Sequence, residues 1–272
     1  MSNAKQPIYE SPYVTADTVI FTIHDDALKV LLIKRKNLPF AGSLALPGVF
    51  LQKDEGTREA ALRALKAKAG VKVGYLEQLY TFDSKHRDPR GHTVSITYFA
   101  LVPENALKIK QGKDLQSPEL YPLNKLPRLA FDHKEIIGLA FMRLRAKLEY
   151  TNVVYSLLPK YFTLSDLQEA YEVIFGRKFD KRNFRKKYLS LGLIRPTGKI
   201  LKGARSRPAR LFEFKSRRPA GLKKFFLNTF ILILYLFSNG FYRNIDINLI
   251  KNIFIFCTVI FQFSNVYIFN LN

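Results

Sequence analysis

The first half of the chain alternates short apolar runs with polar turns, a pattern that predicts strands mixed with helices. The β-prone runs at residues 18–23 and 28–33 flank a polar turn at residues 24–26 and predict a hairpin. Residues 93–102 alternate apolar and polar positions, which indicates a strand with one buried face. This half of the chain is therefore expected to contain a β-sheet.

Two segments of the same half have helical patterns. Residues 57–69 are rich in Ala, Leu, Arg and Lys and precede Gly70, a residue that suits the position just past a helix end. Residues 134–149 predict a second helix, with one buried stripe made by Ile137, Ala140, Phe141, Leu144 and Leu148. Helices combined with the strands above predict an α/β (α+β) fold for residues 1–150.

Beyond Tyr150 the pattern becomes helical and then strongly basic, so a domain boundary is expected there. Thr163 suits a helix N-cap and Gly176 suits the helix end. The apolar positions of this helix are Leu164, Leu167, Tyr171 and Ile174. Its outer face is expected to carry Asp166, Glu169 and Glu172. An acidic face predicts that this helix supports a nucleic-acid contact without making one.

Asp180 predicts the N-cap of a further helix, residues 181–191, which is basic. Its apolar positions are expected to point inward: Phe184, Tyr188 and Leu191. Its predicted DNA-binding positions are Arg182, Asn183, Arg185, Lys186 and Lys187. A basic helix after a helix and a turn is the layout of helix-turn-helix recognition, in which Arg reads guanine, Asn reads adenine and Lys contacts phosphate.

Two strand-like segments follow, residues 194–197 and 210–214, and they flank a basic loop. The loop carries Lys199, Lys202, Arg205 and Arg207. This arrangement is typical of the wing of a winged helix, and Lys202, Arg205 and Arg207 are expected to contact DNA. A basic hairpin that is merely solvated is the alternative.

The charge distribution favours a polyanionic partner. The chain of 272 residues has a formal net charge of +22, and residues 151–222 hold 17 Lys and Arg against 5 Asp and Glu. Such dense positive charge is the electrostatic footprint of nucleic-acid binding. The single cysteine, Cys257, excludes an intrachain disulfide, and the N-terminus lacks the apolar core of a signal peptide, so a cytoplasmic location is expected.

Residues 219–272 form an apolar tail that fits neither half. From Lys223 onward Phe, Ile, Asn, Leu and Tyr dominate. The apolar runs at residues 225–237 and 253–263 are shorter than the roughly 20 residues that a membrane helix needs. A frameshifted or read-through end, a membrane-associating hairpin and a dimer element all remain open, and no function is assigned to the tail.

Residues 46–71 resemble a Nudix box: a glycine loop, a helix with Arg-Glu-x-x-Glu-Glu, then Gly and an aliphatic residue. Carboxylates at positions i, i+3 and i+4 share one helix face, where they hold divalent cations against a pyrophosphate. The sequence keeps Gly48, Glu55, Arg63 and Leu65. Ala64, Ala67 and Lys68 occupy the carboxylate positions, so neither a catalytic residue nor a metal site is expected.

The polar residues that remain predict binding without cleavage. Residues 83–92 form an Arg- and His-rich loop that can clamp phosphate or ribose hydroxyls. The predicted ligand-binding residues are Arg35, Gly48, Glu55, Arg63, Arg87, Asp88 and Arg90. A solvated hairpin tip and a domain that is only a scaffold are the alternatives. Glu59 also survives, and a pair with Arg63 at i, i+4 is a simpler role for it than metal binding.

Further stretches extend the resemblance to one subfamily, at residues 75–82, 87–91, 129–134 and 180–187. Together they resemble the Nudix-related transcriptional regulators, the NrtR-like group, over about residues 12–215. The resemblance implies a dimeric DNA-binding regulator whose Nudix domain has lost its pyrophosphatase residues. Members of the group that control NAD metabolism sense ADP-ribose, and relatives sense sugars such as arabinose.

The sequence therefore predicts a Nudix α/β/α sandwich with a mixed sheet at residues 1–150, for ligand sensing and dimerisation, and a small winged-helix domain at residues 151–218. The expected partners are a double-stranded DNA operator, an ADP-ribose-like or sugar effector and a second copy of the chain, with no cofactor. One alternative is an active hydrolase that cleaves ADP-ribose to AMP and ribose 5-phosphate with Mg²⁺ held by Glu55 and Glu59. Another is a nucleic-acid binder without a sensor.

Overall fold

The computed structural model describes residues 11–70, 74–107, 118–201 and 208–222, without the side chains of Lys68 and Ala69. All of these residues lie within one compact unit of the chain, which spans residues 1–225. The predicted tail beyond Leu222 and the predicted wing tip lie outside the described residues. Within the described ranges, no helix is long and apolar enough to cross a lipid bilayer.

A mixed β-sheet forms the first half of the chain. Its strands are β1 (Tyr13–His24), β2 (Ala27–Lys34), β3 (Leu44–Ala45), β4 (Gly48–Phe50), β5 (Tyr75–Phe82), β6 (Thr93–Leu101) and β7 (Glu119–Pro122). The main order is β3-β2-β1-β6-β5, while β4 pairs with β1 and β7 pairs with β2. Strands β1 and β6 are parallel, and the predicted β1–β2 hairpin is antiparallel, with Phe21 opposite Val30. The mixed sheet of the prediction is confirmed.

Two helices, α1 (Thr57–Ala69) and α2 (His133–Tyr150), complete the sandwich. Leu65 of α1 packs in one core cluster with Ile20 of β1, and Ala60 and Ala61 pack in another with Ala16. The odd-numbered residues of β1 face the other way. Among them, Asp17 lies 3.9 Å from Arg87, which pairs with Asp132 at the start of α2. The α/β/α layering is thus set by the alternation of side chains along β1.

The buried stripe of α2 is wider than predicted and lacks one predicted residue. Its buried residues are His133, Ile136, Ile137, Leu139, Ala140, Leu144 and Leu148. Phe141, which was predicted to be buried, is half-buried, and the guanidinium carbon of Arg145 lies 5.5 Å from its ring centroid. The Phe141 ring therefore supports a charged side chain at the edge of the core.

The second half folds as two helices and a hairpin: α3 (Leu164–Phe175), α4 (Lys181–Ser190), β8 (Ile194–Leu201) and β9 (Ala209–Phe214). Thr163 and Asp166 form a reciprocal cap on α3, with N···O distances of 3.1 and 2.8 Å. The Asp180 carboxylate caps α4 by accepting from the Asn183 N–H at 2.8 Å. Gly176 has a φ of 66°, a left-handed conformation that favours glycine at a helix end. The predicted helix–turn–helix–hairpin order is confirmed.

The segment between the two halves is bound by the residues that follow β9. The Arg217 guanidinium donates hydrogen bonds to the carbonyls of Tyr155, Leu158 and Pro159. The Asn152 side chain accepts from the Ala220 N–H at 2.7 Å. Because these bonds join residues about 60 positions apart in sequence, the connection after α2 is a fixed part of the fold.

Candidate ligand site and DNA interface

A pair of charged side chains holds the loop that precedes α1. The Arg63 guanidinium donates to both carboxylate oxygens of Glu55, each at 2.7 Å, and also to the Phe50 carbonyl at 2.9 Å. The Gln52 N–H donates to Glu55 at 3.0 Å. The hydrogen bonds from Arg63 lower the pKa of Glu55 to about 2. Two of the retained Nudix-box residues, Glu55 and Arg63, thus bind each other and define the shape of the loop.

The residues at the Nudix metal positions do not fit a divalent cation. Ala64 is fully buried and Ala67 is exposed, while the side chain of Lys68 lies outside the described residues. The Glu59 carboxylate accepts from the Gly56 N–H at 2.9 Å as part of the helix cap, so its expected pair with Arg63 is wrong. Among the residues that the structure describes, no group of three His, Cys, Asp or Glu side chains could hold a metal ion.

A buried ion pair joins the loop between β5 and β6 to the start of α2. Arg87, whose side chain is 4% exposed, donates to both oxygens of Asp132 at 2.8 and 2.7 Å. The Asp17 carboxylate of β1 lies 3.9 Å from the same guanidinium and accepts from the Ser95 hydroxyl at 2.6 Å. Arg87 and Asp88 are buried and the other eight residues of the loop at 83–92 are exposed, so Arg87 anchors inside the domain a loop whose remainder faces solvent.

Gly48 and His133 lie in the same buried layer. A Cβ built on Gly48 would come within 1.7 Å of an Asp17 carboxylate oxygen, so only glycine lets β4 lie this close to β1. The His133 Nδ1 accepts from the Leu46 N–H at 2.9 Å. Burial lowers the pKa of His133. A neutral ring with its proton on Nε2 satisfies this hydrogen bond.

Two arginines and three phenylalanines form a half-exposed surface beside this layer, which we name the arginine–phenylalanine surface: Arg35, Phe40, Phe50, Arg90 and Phe131. The guanidinium carbons of Arg35 and Arg90 lie 4.7 and 5.6 Å from the Phe131 ring centroid, and Arg90 lies 5.0 Å from that of Phe50. Phe40 packs edge-to-face on Phe131 with the centroids 5.0 Å apart. The surface therefore combines positive charge with exposed aromatic rings.

Both guanidinium groups of this surface are held by neighbours. Arg90 donates to both oxygens of Asp88, a buried residue, at 2.6 and 2.9 Å, and this hydrogen bonding raises the pKa of Arg90. Arg35 donates to the Pro39 carbonyl at 2.9 Å, while burial and then the charge on Arg90 lower the pKa of Arg35. Among the described residues neither Nη1 group takes part in a hydrogen bond, so both retain donors for an anion.

The exposed face of α4 is basic and polar. Its exposed residues include Arg182, Asn183, Lys186 and Lys187, in agreement with the prediction. Arg185 differs: it is half-buried, and its Nη2 donates to the Ser165 hydroxyl at the start of α3, 3.1 Å away. Arg185 therefore joins the two helices, and its assignment to the outward face is corrected.

The hairpin after α4 continues this basic character. The Lys199 ammonium lies 4.4 Å from the Tyr161 ring centroid, and Lys160 lies 5.2 Å from the same ring. The predicted wing contacts Lys202, Arg205 and Arg207 lie outside the described residues and stay predictions.

Comparison with known proteins matches both halves of the chain. A model of the NUDIX domain matches residues 14–139, and a model of the NrtR DNA-binding winged helix domain matches residues 154–214. A curated relative from Acinetobacter baylyi, the ADPR responsive transcriptional repressor NtrR, is 38% identical over 210 residues, which cover 76% of this chain and 83% of the relative. The crystal structure of Shewanella oneidensis NrtR complexed with a 27mer DNA superposes with a TM-score of 0.68 at 38% identity, over 74% of this chain and 93% of that one.

The chain belongs to the NrtR family of Nudix-related transcriptional regulators. Its Nudix half is also similar to an ADP-ribose pyrophosphatase from Methanocaldococcus jannaschii, which is 41% identical over 133 residues, 49% of this chain and 75% of the relative. The Nudix fold and the winged helix of the prediction are confirmed. Family membership leaves open whether this chain has enzymatic activity, because relatives of both kinds match.

In this NrtR family member, the structure divides the predicted ligand residues into two groups. Arg35 and Arg90 meet on the arginine–phenylalanine surface. The others pack against protein groups in β4, in α1 and in the loops that precede α1 and β6: Gly48, Glu55, Arg63, Arg87 and Asp88.

The sequence reasoning missed the aromatic rings of the site and two of its carboxylates, Asp17 and Asp132. Phe131 and Asp132 lie in a stretch that carried the family resemblance, which was the available signal for them. For Asp17, the signal was a charged residue inside a strand of otherwise apolar and hydroxyl residues.

Proposed function

We propose that this chain is a transcriptional repressor that binds a DNA operator and responds to ADP-ribose. The observation that carries the proposal is the exposed face of the second helix of the winged helix, which consists of Arg182, Asn183, Lys186 and Lys187. In the Nudix half of the same chain, the Glu55 and Glu59 carboxylates are already hydrogen-bonded to protein donors. The Acinetobacter relative, a repressor responsive to ADP-ribose by its name, supports both parts of the proposal.

The arginine–phenylalanine surface is the proposed effector site. A pyrophosphate needs donors arranged for charge-assisted hydrogen bonds, which Arg35 and Arg90 supply. An adenine ring needs a flat apolar partner. The Phe131 ring is already covered by the guanidinium groups of Arg35 and Arg90, so Phe40 and Phe50, which are 41% and 43% exposed, are the rings proposed to supply this partner. The guanidinium groups and phenylalanine rings of this surface together match a nucleoside diphosphate linked to a sugar better than they match a free sugar.

The proposed DNA contacts divide by chemistry. Arg182 and Asn183, in the first turn of α4, are placed to read base edges, while Lys186 and Lys187 contact phosphates. A homodimer presents two such helices to half-sites one helical turn apart, so the operator is expected to be palindromic. The site of action is the cytoplasm, where the DNA of a bacterial-type regulator lies.

The first experiment measures DNA binding by the full chain. Duplexes selected from a random-sequence pool by the wild-type chain are compared with an unselected duplex of equal length, with and without ADP-ribose. We expect the selected duplexes to bind at least about 10³-fold more tightly, and ADP-ribose to change that affinity by about 5- to 150-fold. No preference for the selected duplexes contradicts the regulator, and a preference that ADP-ribose leaves unchanged contradicts the sensor.

A paired set of variants tests the assignment of the DNA surface. Arg182→Ala with Lys186→Ala is expected to weaken operator binding about 10-fold or more and to reduce the slope of affinity against salt. The control is Lys66→Ala with Lys125→Ala, which removes two exposed charges from the Nudix half. If both pairs weaken binding equally, α4 is not the recognition helix.

A second candidate function is hydrolysis of ADP-ribose, which the similarity to the archaeal pyrophosphatase favours. In this chain Glu55 and Glu59, the residues that would hold the metal, both bind protein donors, so we expect no release of AMP from ADP-ribose with Mg²⁺ present. AMP release that is lost in Glu55→Gln and retained in Lys66→Ala would establish the enzyme.

A further inference from the structure

A buried carboxylate on α3 holds the turn that leads into α4. Glu172 was expected on the outer, acidic face of α3, but it is only 9% exposed. Its Oε1 accepts from the Phe179 N–H at 2.9 Å and from the Gln168 amide at 2.8 Å, and its Oε2 accepts from the Lys178 ammonium at 2.8 Å. The prediction for Glu172 was therefore wrong, and the carboxylate is directed toward the turn at residues 176–180.

Gln168 completes the contact with the turn. The same amide nitrogen that donates to Glu172 also donates to the Phe179 carbonyl at 2.9 Å. Both backbone groups of Phe179 are thus bound by side chains one helical turn apart on α3. We call Gln168 and Glu172 the turn clamp.

Hydrogen bonds keep the buried carboxylate charged. Burial alone would raise the pKa of Glu172, but the bonds from Lys178, from the Phe179 N–H and from Gln168 outweigh it and lower that pKa. A charged acceptor forms stronger hydrogen bonds than a neutral one. The Glu172 carboxylate is therefore a buried charge held by three donors, a polar contact of the kind that specifies one local geometry.

The position of the clamp links it to the recognition surface. Phe179 directly precedes Asp180, the N-cap of α4, and the first turn of α4 holds Arg182 and Asn183. Farther along α4, Phe184 and Tyr188 pack on Tyr171 of α3 through aromatic contacts. The aromatic contacts fix the distance between the two helices, while the clamp fixes where the first turn of α4 begins.

Base reading is more sensitive to this placement than phosphate binding is. N–H···O hydrogen bonds span only about 2.7–3.2 Å between heavy atoms, so a shift of about 1 Å at the start of α4 breaks contacts with base edges. Long lysine side chains can follow a phosphate through such a shift, and their attraction to it is not directional. Loss of the clamp should therefore reduce sequence discrimination before it reduces general affinity for DNA.

We infer that Gln168 and Glu172 are positioning residues for sequence recognition, which they serve by setting the start of α4 without contacting DNA. This inference rests on the proposed function, because it presupposes that α4 reads an operator. It assigns Glu172, the buried one of the three acidic residues of α3, a defined role in DNA reading.

The test compares Glu172→Ala and Glu172→Gln with Glu169→Ala, which removes the same charge from the same helix. For each full-length variant, the affinities for the selected duplex and for an unselected duplex of equal length are measured, together with thermal unfolding. We expect Glu172→Ala to lose about 10- to 100-fold in the ratio of the two affinities, with the unselected duplex bound within about 3-fold of wild type. Glu172→Gln, which keeps an acceptor for the Phe179 N–H, should recover part of the ratio.

Other outcomes overturn the inference. An unchanged ratio in Glu172→Ala, while the wild-type chain discriminates normally, refutes the clamp and leaves the regulator intact. A wild-type chain that does not discriminate refutes the proposed function and the inference with it. If Glu172→Ala does not fold, Gln168→Ala provides the same comparison, since it removes only the hydrogen bonds from Gln168 to the Phe179 carbonyl and to Glu172. An unchanged ratio of the two affinities in Gln168→Ala also refutes the clamp.

Discussion

The buried pair of Arg87 and Asp132 offers a direct test of how the ligand-side loop is held. Replacement of Arg87 by Met keeps most of the side-chain volume but removes the charge. It leaves the Asp132 carboxylate, which is 14% exposed, and the Asp17 carboxylate, which is 11% exposed, without their shared cation. The perturbation is therefore mainly electrostatic.

The size of the effect follows from burial. Removal of one partner from a buried ion pair costs about 3–5 kcal/mol, because the remaining charge loses its compensation. Whole domains have a free energy of unfolding of only about 5–15 kcal/mol. For a folded unit of this size, the loss corresponds to a decrease in Tm of roughly 6–20 °C.

Urea unfolding of Arg87→Met, Asp132→Asn and the double variant measures the effect and the coupling between the two residues. We expect each single variant to lose about 3 kcal/mol or more, and the double variant to lose much less than the sum. Arg195→Met is the control, because its pair with Glu213 is exposed and should contribute less than about 1 kcal/mol. A loss below about 1 kcal/mol in Arg87→Met would show that the pair does not anchor the loop.

Two pH-dependent predictions follow from other charged groups. Burial lowers the pKa of His133 below 6.5, so below that pH the folded state binds fewer protons than the unfolded state. The free energy of unfolding should therefore fall by up to about 1.4 kcal/mol per pH unit as pH drops below 6.5. Urea unfolding measured against pH should show this slope in the wild type and its loss in His133→Asn. Hydrogen bonding to Arg63 lowers the pKa of Glu55 from 4.5 to about 2, so the pair stabilises the fold above pH 4.5 and this contribution is lost as pH falls toward 2. Thermal unfolding should therefore show a difference between wild type and Arg63→Met that shrinks over that range, and a difference independent of pH would exclude the ion pair as its cause.

Local patterns in the sequence determined most of the secondary structure. The helix over residues 57–69 and the caps at Thr163 and Asp180 were predicted with the bounds that the structure has, because helix periodicity and capping act within a few residues. The hairpin of β1 and β2 follows from the same local signals. The loss of the Nudix carboxylates at Ala64 and Ala67 is likewise visible without coordinates.

Only the tertiary structure decided which charged residues are exposed and which partners they have. Arg87 and Glu172 are of residue types that usually lie at the protein surface, yet both are buried against partners that folding brings to them. Asp132 lies 45 positions from Arg87 in sequence, and no periodicity connects them. A charged side chain can be buried only where the fold supplies a matching donor or acceptor, and that match depends on packing between elements distant along the chain. The sequence therefore determined which helices and strands form and that the second half is basic. Packing decided which of the charged residues stay exposed for the proposed contacts and which are buried to hold the structure.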